Sequence, residues 1–147
     1  MEQIVITLIL LSLGYFFGRR AEKKHYKSII EREQIMNALP AMASRFPPVG
    51  EKFEQTLVAG SVVIANDYFK TFAAGLRNLF GGKVSSYETL LDRARREAIL
   101  RMKEQAQVIQ ADYVFNVKYE TASISKGKRN KMPMIEVLAY GTALKKL

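Results

Sequence analysis

The hydrophobic pattern is most extreme at the start of the chain. From Ile4 to Phe17 (IVITLILLSLGYFF) the only polar side chains are Thr7 and Ser12, and no charge occurs. With Gln3 and Gly18 this run falls a little short of the ~20 residues that cross a bilayer core, but Arg19 and Arg20 can snorkel and Tyr15, Phe16 and Phe17 suit an interface. It predicts a retained membrane anchor over residues 1–18. A cleaved signal peptide and a buried helix of a soluble domain fit less well; against the first, Glu2 stands where a basic start belongs and Gly18 runs straight into Arg19, Arg20, Lys23 and Lys24.

Residues 19–50 read as a juxtamembrane helix and a linker. The stretch after Gly18 has no Gly or Pro before Pro40, and Glu22, Glu31 and Glu33 interleave with basic residues. Tyr26, Ile29, Ile30 and Ile35 offer a helix-bundle seam; otherwise the segment is a solvated stalk. His25, the only histidine, falls among basic neighbours at the expected interface. Pro40 to Gly50, with Pro47-Pro48, breaks the helix.

From residue 51 the pattern changes to short apolar runs divided by turn residues, so 51–147 reads as one folded domain. Thr56 to Asn66 predicts a buried strand rich in β-branched residues, with Gly60 marking a bulge or a close backbone contact. Phe69, Phe72, Ala73, Leu76 and Phe80 recur at helical spacing, ended by Gly81-Gly82. A longer helix comes next, opened by the capping pair Ser85 and Glu88 and carrying Tyr87, Leu91, Ala94, Ala98, Met102, Ala106 and Ile109 on its apolar face. After Asp112 the period becomes two, with Tyr113, Phe115, Val117 and Tyr119 on one face and Asn116, Lys118 and Glu120 on the other. A basic turn from Ser125 to Pro133 then leads into a last strand, MIEVLAYGTAL, pairing as a hairpin.

The predicted class is α+β: an N-terminal transmembrane helix, then a small β-α-α-β-β domain with a three-stranded antiparallel sheet. In the last strand Ile135, Val137, Ala139 and Ala143 fall on one side, and Met134, Leu138, Tyr140 and Leu144 on the other. Both faces want cover, yet one long helix covers only one. Assembly into a homo-oligomer is the economical answer.

Composition narrows the chemistry. The 147 residues allow one domain and a short extra segment. Without cysteine there is no disulfide, thiol nucleophile or thiolate metal site. The net charge is +9, and every Lys and Arg lies beyond the apolar run. Arg19, Arg20, Lys23, Lys24 and Lys27 therefore read as lipid-headgroup contacts. By the positive-inside rule they predict a single-pass protein of the cytoplasmic (inner) membrane, with its N-terminus outside and its C-terminal domain in the cytoplasm.

The domain also resembles a known family. Gly60-Ser61-Val62-Val63, Phe72-Ala73-Ala74-Gly75-Leu76-Arg77 with Phe80-Gly81-Gly82, Tyr87-Glu88, Ala94-Arg95, Ala111-Asp112, Tyr119-Glu120 and Tyr140-Gly141-Thr142-Ala143 keep the order and spacing of the YbjQ-like family, a bacterial group often labelled heavy-metal-binding. The resemblance implies a ring-forming domain, pentameric in known members, with no established enzymatic activity. This chain departs from the label, because the domain has neither Cys nor His and offers only carboxylates such as Asp67, Asp92, Asp112, Glu120 and Glu136 to a hard cation.

The expected function is a membrane-anchored homo-oligomeric scaffold or interaction protein, with no catalytic site, metal or cofactor. Its partners would be itself, anionic lipid and other membrane proteins. The oligomer-interface candidates are Val62, Phe69, Phe72, Leu76 and Phe80. The alternative is a metal-ion or small-ligand site between subunits, lined by Tyr87, Tyr119 and Tyr140. Nucleic acid fits poorly, since Lys126, Lys128, Arg129 and Lys131 lack interleaved aromatics. An enzyme would need a nucleophile–base pair or a phosphate-binding loop, and neither is present.

Overall fold

The computed structural model describes residues 2–47, 50–65, 85–123 and 134–147, apart from the side chains at 7, 8, 11, 65, 85–87 and 123. The elements are α1 (Glu2–Ile35), a single 3-10 turn (Met36–Ala38), β1 (Phe53–Ala65), α2 (Ser85–Val108), β2 (Tyr113–Ser123) and β3 (Met134–Lys146). The expected helix carrying Phe69 to Phe80 lies outside the described residues.

The three strands form one antiparallel sheet in the order β1-β3-β2. The central position goes to the strand with apolar residues on both sides, since it alone has a neighbour at each edge. Val62 pairs with Val137 and Gly60 with Ala139, so these residues share the face on which α2 lies. On α2, Ala94, Ala98 and Ala106 are wholly buried, and their small side chains let the helix approach closely. A Cβ on Gly60 would stand 2.4 Å from both Ala98 O and Met102 N, so glycine is required there by the contact itself.

Two local expectations change. The strict alternation read along β2 fails, because Asn116 adopts φ 53° and the register to β3 shifts between Phe115 and Lys118. This bulge leaves Phe115 opposite Thr142 and Tyr119 opposite Ala139, on different faces of the sheet. Gly141 lies beside the bulge, where a Cβ would come within 2.9 Å of Val114 Cγ1. The linker is also more than a spacer. Val114 N donates to Pro40 O (2.9 Å), Met42 N to Val114 O (2.9 Å) and Val117 N to Met42 O (3.1 Å), so the segment runs along the free edge of β2.

The membrane anchor is corrected. Residues 2–35 form one unbroken helix, and among the described residues no helix is long and apolar enough to cross a membrane. The apolar run of Ile4–Phe17 spans about 21 Å at the helical rise, against a hydrocarbon core of ~30 Å. Beyond it the helix is charged and packs on α2 rather than continuing an apolar surface. The single-pass inner-membrane location fails with the anchor, and so does the sidedness read from the basic cluster.

Candidate functional site

Three surfaces carry chemistry: the seam between α1 and α2, the sheet face turned away from α2, and the exposed N-terminal half of α1.

The seam begins with an apolar contact. Ile29, Met36 and Leu100 form a small buried cluster separate from the main core, with Ile29 0% exposed. The two helices run in the same direction, as Tyr26 Oη donates to Thr89 O (3.2 Å), Arg96 to Glu33 and Lys103 Nζ to Met36 O (3.2 Å). Around this contact lies a charge network centred on Glu97, the one buried charged residue among those described, at 4% exposure. Its Oε2 is ion-paired to Arg32 and its Oε1 accepts from Arg101 Nε at 3.0 Å. Arg32 Nη1 also reaches Glu104 Oε1 at 3.2 Å, and Arg101 Nη1 donates to Ser61 O at 2.8 Å, which ties the seam to β1. Beside it, Arg96 grips Glu33 through two bonds of 2.7 and 2.5 Å.

Titration follows the partners. Burial alone would raise the Glu97 carboxyl, but the bonds from Arg32 and Arg101 outweigh it and hold it below its usual range. The bond from Arg96 lowers Glu33 in the same way. His25 is lowered mainly by burial and then by the charge of Arg93, against the pull of Glu97 3.9 Å away. Burial also lowers Lys103, with Glu33 opposing. The arrangement is an electrostatic clasp that fastens α1 to the domain.

On the sheet face opposite α2, Leu57 is 72% and Val63 51% exposed, beside Ala59, Leu138 and Tyr140, which are half-buried. Toward Lys146 the same face closes, where the Phe53 and Tyr113 rings meet at 5.5 Å and Leu144 is buried. Val62 points the other way, 7% exposed beneath α2, so the exposed residues of β1 are its neighbours. Phe69, Phe72, Leu76 and Phe80 lie outside the described residues. So do Asp67, the side chain of Tyr87, and the loop bearing Lys126, Lys128, Arg129 and Lys131.

Arg19, Arg20, Lys23, Lys24 and Lys27 lie along α1; Arg19 sits over the Tyr15 ring at 5.6 Å and Lys27 pairs with Glu31 at 3.8 Å. Tyr119 and Tyr140 are not brought together, since the first shares a face with Ala139 and the second pairs with Lys118 and Ala59 on the opposite face. Sequence reading missed Glu97. It sits among Arg93, Arg96, Arg101 and Glu104, and only the arrival of α1 distinguishes it from a solvated face. Arg32 and Glu33, oppositely charged neighbours facing this basic stretch, were the available signal.

Donor chemistry speaks against a heavy-metal site. The chain has no thiolate, its one histidine, His25, faces the cationic Arg93 and Arg32, and Asp112 Oδ2 accepts from Lys146 N at 2.8 Å. Among the described residues no three His, Cys, Asp or Glu side chains converge.

Comparison with known proteins places this geometry in context. A family model described as "Putative heavy-metal-binding" matches residues 50–146, so α1 lies ahead of the matched region. The chain is 41% identical over 88 residues to a UPF0145 protein of Hahella chejuensis, covering 60% of this chain and 79% of that one. A UPF0145 protein of Methanosarcina acetivorans is 38% identical over 98 residues, covering 65% and 87%. A crystal structure of a protein with unknown function from Pediococcus pentosaceus covers 74% of this chain and 98% of its own, at 16% identity and a TM-score of 0.48.

Proposed function

Taking as premise that the chain belongs to the YbjQ-like (UPF0145) family, which its residues 50–146 match, we propose that it is a self-assembling interaction protein that acts by forming a homo-oligomer rather than by catalysing a reaction. The observation that carries this reading is the open sheet face. Leu57 and Val63, with Leu138 and Tyr140 beside them, present an apolar strip that no element among the described residues covers. Burying such a strip against another copy is favourable by ~25 cal/mol for each Å² of apolar surface removed from water. A closed ring, in which each copy meets two neighbours through the same pair of surfaces, satisfies every copy at once.

The experiment is sedimentation velocity on the chain and on a Leu57→Asp, Val63→Asp double variant. The reading expects a multi-subunit species for the first and a smaller one for the second, with the same far-ultraviolet circular dichroism. An unchanged sedimentation coefficient in the double variant would remove the sheet face from the interface.

A further inference from the structure

Among the described residues no helix is long and apolar enough to cross a membrane, yet the apolar start of α1 exposes a substantial surface. Between Ile4 and Phe17, nine large side chains among those described are each about half exposed or more. Together they expose on the order of 1,000 Å² around the helix, of which the side chains on one face form the patch that a partner could cover.

Within this surface one stripe has a regular spacing. Glu2, Ile6, Ile9, Leu13, Phe16 and Arg20 succeed each other at intervals of 4, 3, 4, 3 and 4 residues, the 3.5-residue repeat of a knobs-into-holes seam. The four apolar members are between 47% and 63% exposed. The stripe also points away from the body of the protein. Ile29 and Met36, which face α2, come twenty residues after Ile9 and Phe16, a rotation of about 200° around the helix. The seam to α2 and this stripe therefore occupy opposite sides of one helix and can be engaged together.

We propose that this stripe pairs with the same stripe of a second copy, the two helices antiparallel. The proposal rests on the reading that the chain self-assembles and names α1 as one of the contacts. Charge decides the direction. A parallel pair would set Arg19, Arg20, Lys23, Lys24 and Lys27 beside their own copies, which is repulsive. An antiparallel pair maps each residue of the stripe onto another member of it: Ile6 meets Phe16 of the second copy, Ile9 meets Leu13, and Glu2 meets Arg20. Each end of the seam is then closed by an opposite-charge pair, and the helix dipoles oppose favourably. Beyond Arg20 this side of α1 carries the exposed Lys23 and Lys27, so the seam stops there. The contact is two-fold and self-complementary.

Cysteine crosslinking of the full chain tests the proposal, since the natural sequence has no cysteine to compete. Chains carrying Glu2→Cys and Arg20→Cys are oxidised separately and as an equimolar mixture. The expected result is a disulfide-linked dimer in the mixture and little in either chain alone. Dimers forming within each separate chain would indicate parallel pairing and overturn the proposal. If no disulfide forms while the chain remains oligomeric, the helix pairing fails and the sheet-based reading survives; if the chain is monomeric, both fail. A second variant, Ile9→Glu with Leu13→Glu, is expected to lower the assembly mass with circular dichroism unchanged. Cosedimentation with phosphatidylcholine vesicles that abolishes the mixed disulfide would assign the stripe to lipid instead and overturn the pairing.

Discussion

Arg32 of α1 is ion-paired to Glu97 of α2, a carboxylate buried to 4% exposure between two helices, the pair being 65 residues apart in sequence. Removing the guanidinium leaves Glu97 with Arg101 as its nearest remaining partner in a desolvated place. Arg32→Ala is therefore expected to lower stability by about 2 kcal/mol, less than a fully buried pair because Arg32 is itself partly exposed. Thermal unfolding measures the loss. Limited proteolysis should show faster cutting between residues 36 and 50, since α1 is what the clasp holds. Arg32→Lys, which keeps a cation beside Glu97 but loses the second bond to Glu104, should lose less than Arg32→Ala.

Acid is expected to loosen the same clasp in two stages. His25 has a folded pKa below its ordinary 6.5, so it favours the folded state when neutral; that contribution is complete above 6.5 and falls as pH drops through and below it. The charges facing His25 are Arg93, Glu97, Arg32 and Arg101. Glu97 and Glu33 are depressed below 4.5, so their stabilisation is present above that value and disappears as pH falls further. Melting temperature against pH should decline gently below 6.5 and steeply below 4.5. His25→Gln should flatten the upper part of the curve alone.

Two glycines should behave oppositely. Gly60→Ala drives a methyl group into Ala98 O and Met102 N, backbone atoms of α2 that can yield only by moving the helix, at ~3 kcal/mol. Gly14→Ala meets nothing within 4 Å in the middle of a helix and should stabilise α1 by up to ~1 kcal/mol. Chemical denaturation of both variants distinguishes them, and equal effects would contradict the packing described for β1 and α2.

The family's metal description gives a further check. Calorimetric titration with zinc and cadmium is expected to show no saturable heat at micromolar protein, because thiolates are absent and the described carboxylates and histidine do not converge. Saturable binding would revive the metal-site reading.

Local signals carried the elements that depend on neighbours in sequence. The period of α2, the strand character of β2 and β3, and the close approach at Gly60 were all legible, because each is set by spacing, by β-branched composition or by the absence of a side chain. The bulge at Asn116 was not, since one extra residue inverts the face of everything before it and leaves the composition unchanged. The clasp was hidden for another reason: Glu97 finds Arg32 only through tertiary packing, and on its own helix it looks solvated. The apolar start is legible as a helix, but reading it as an anchor leans on Arg19 and Arg20 to extend a short run. Charged residues take over after Gly18, and there the helix packs against α2.

Self-assembly underlies both the proposed function and the pairing of α1, and the mass of the intact complex tests it most directly. Native mass spectrometry of the full chain at micromolar concentration is predicted to give a discrete multiple of the 16.7 kDa protomer. A single species at 16.7 kDa would contradict the account.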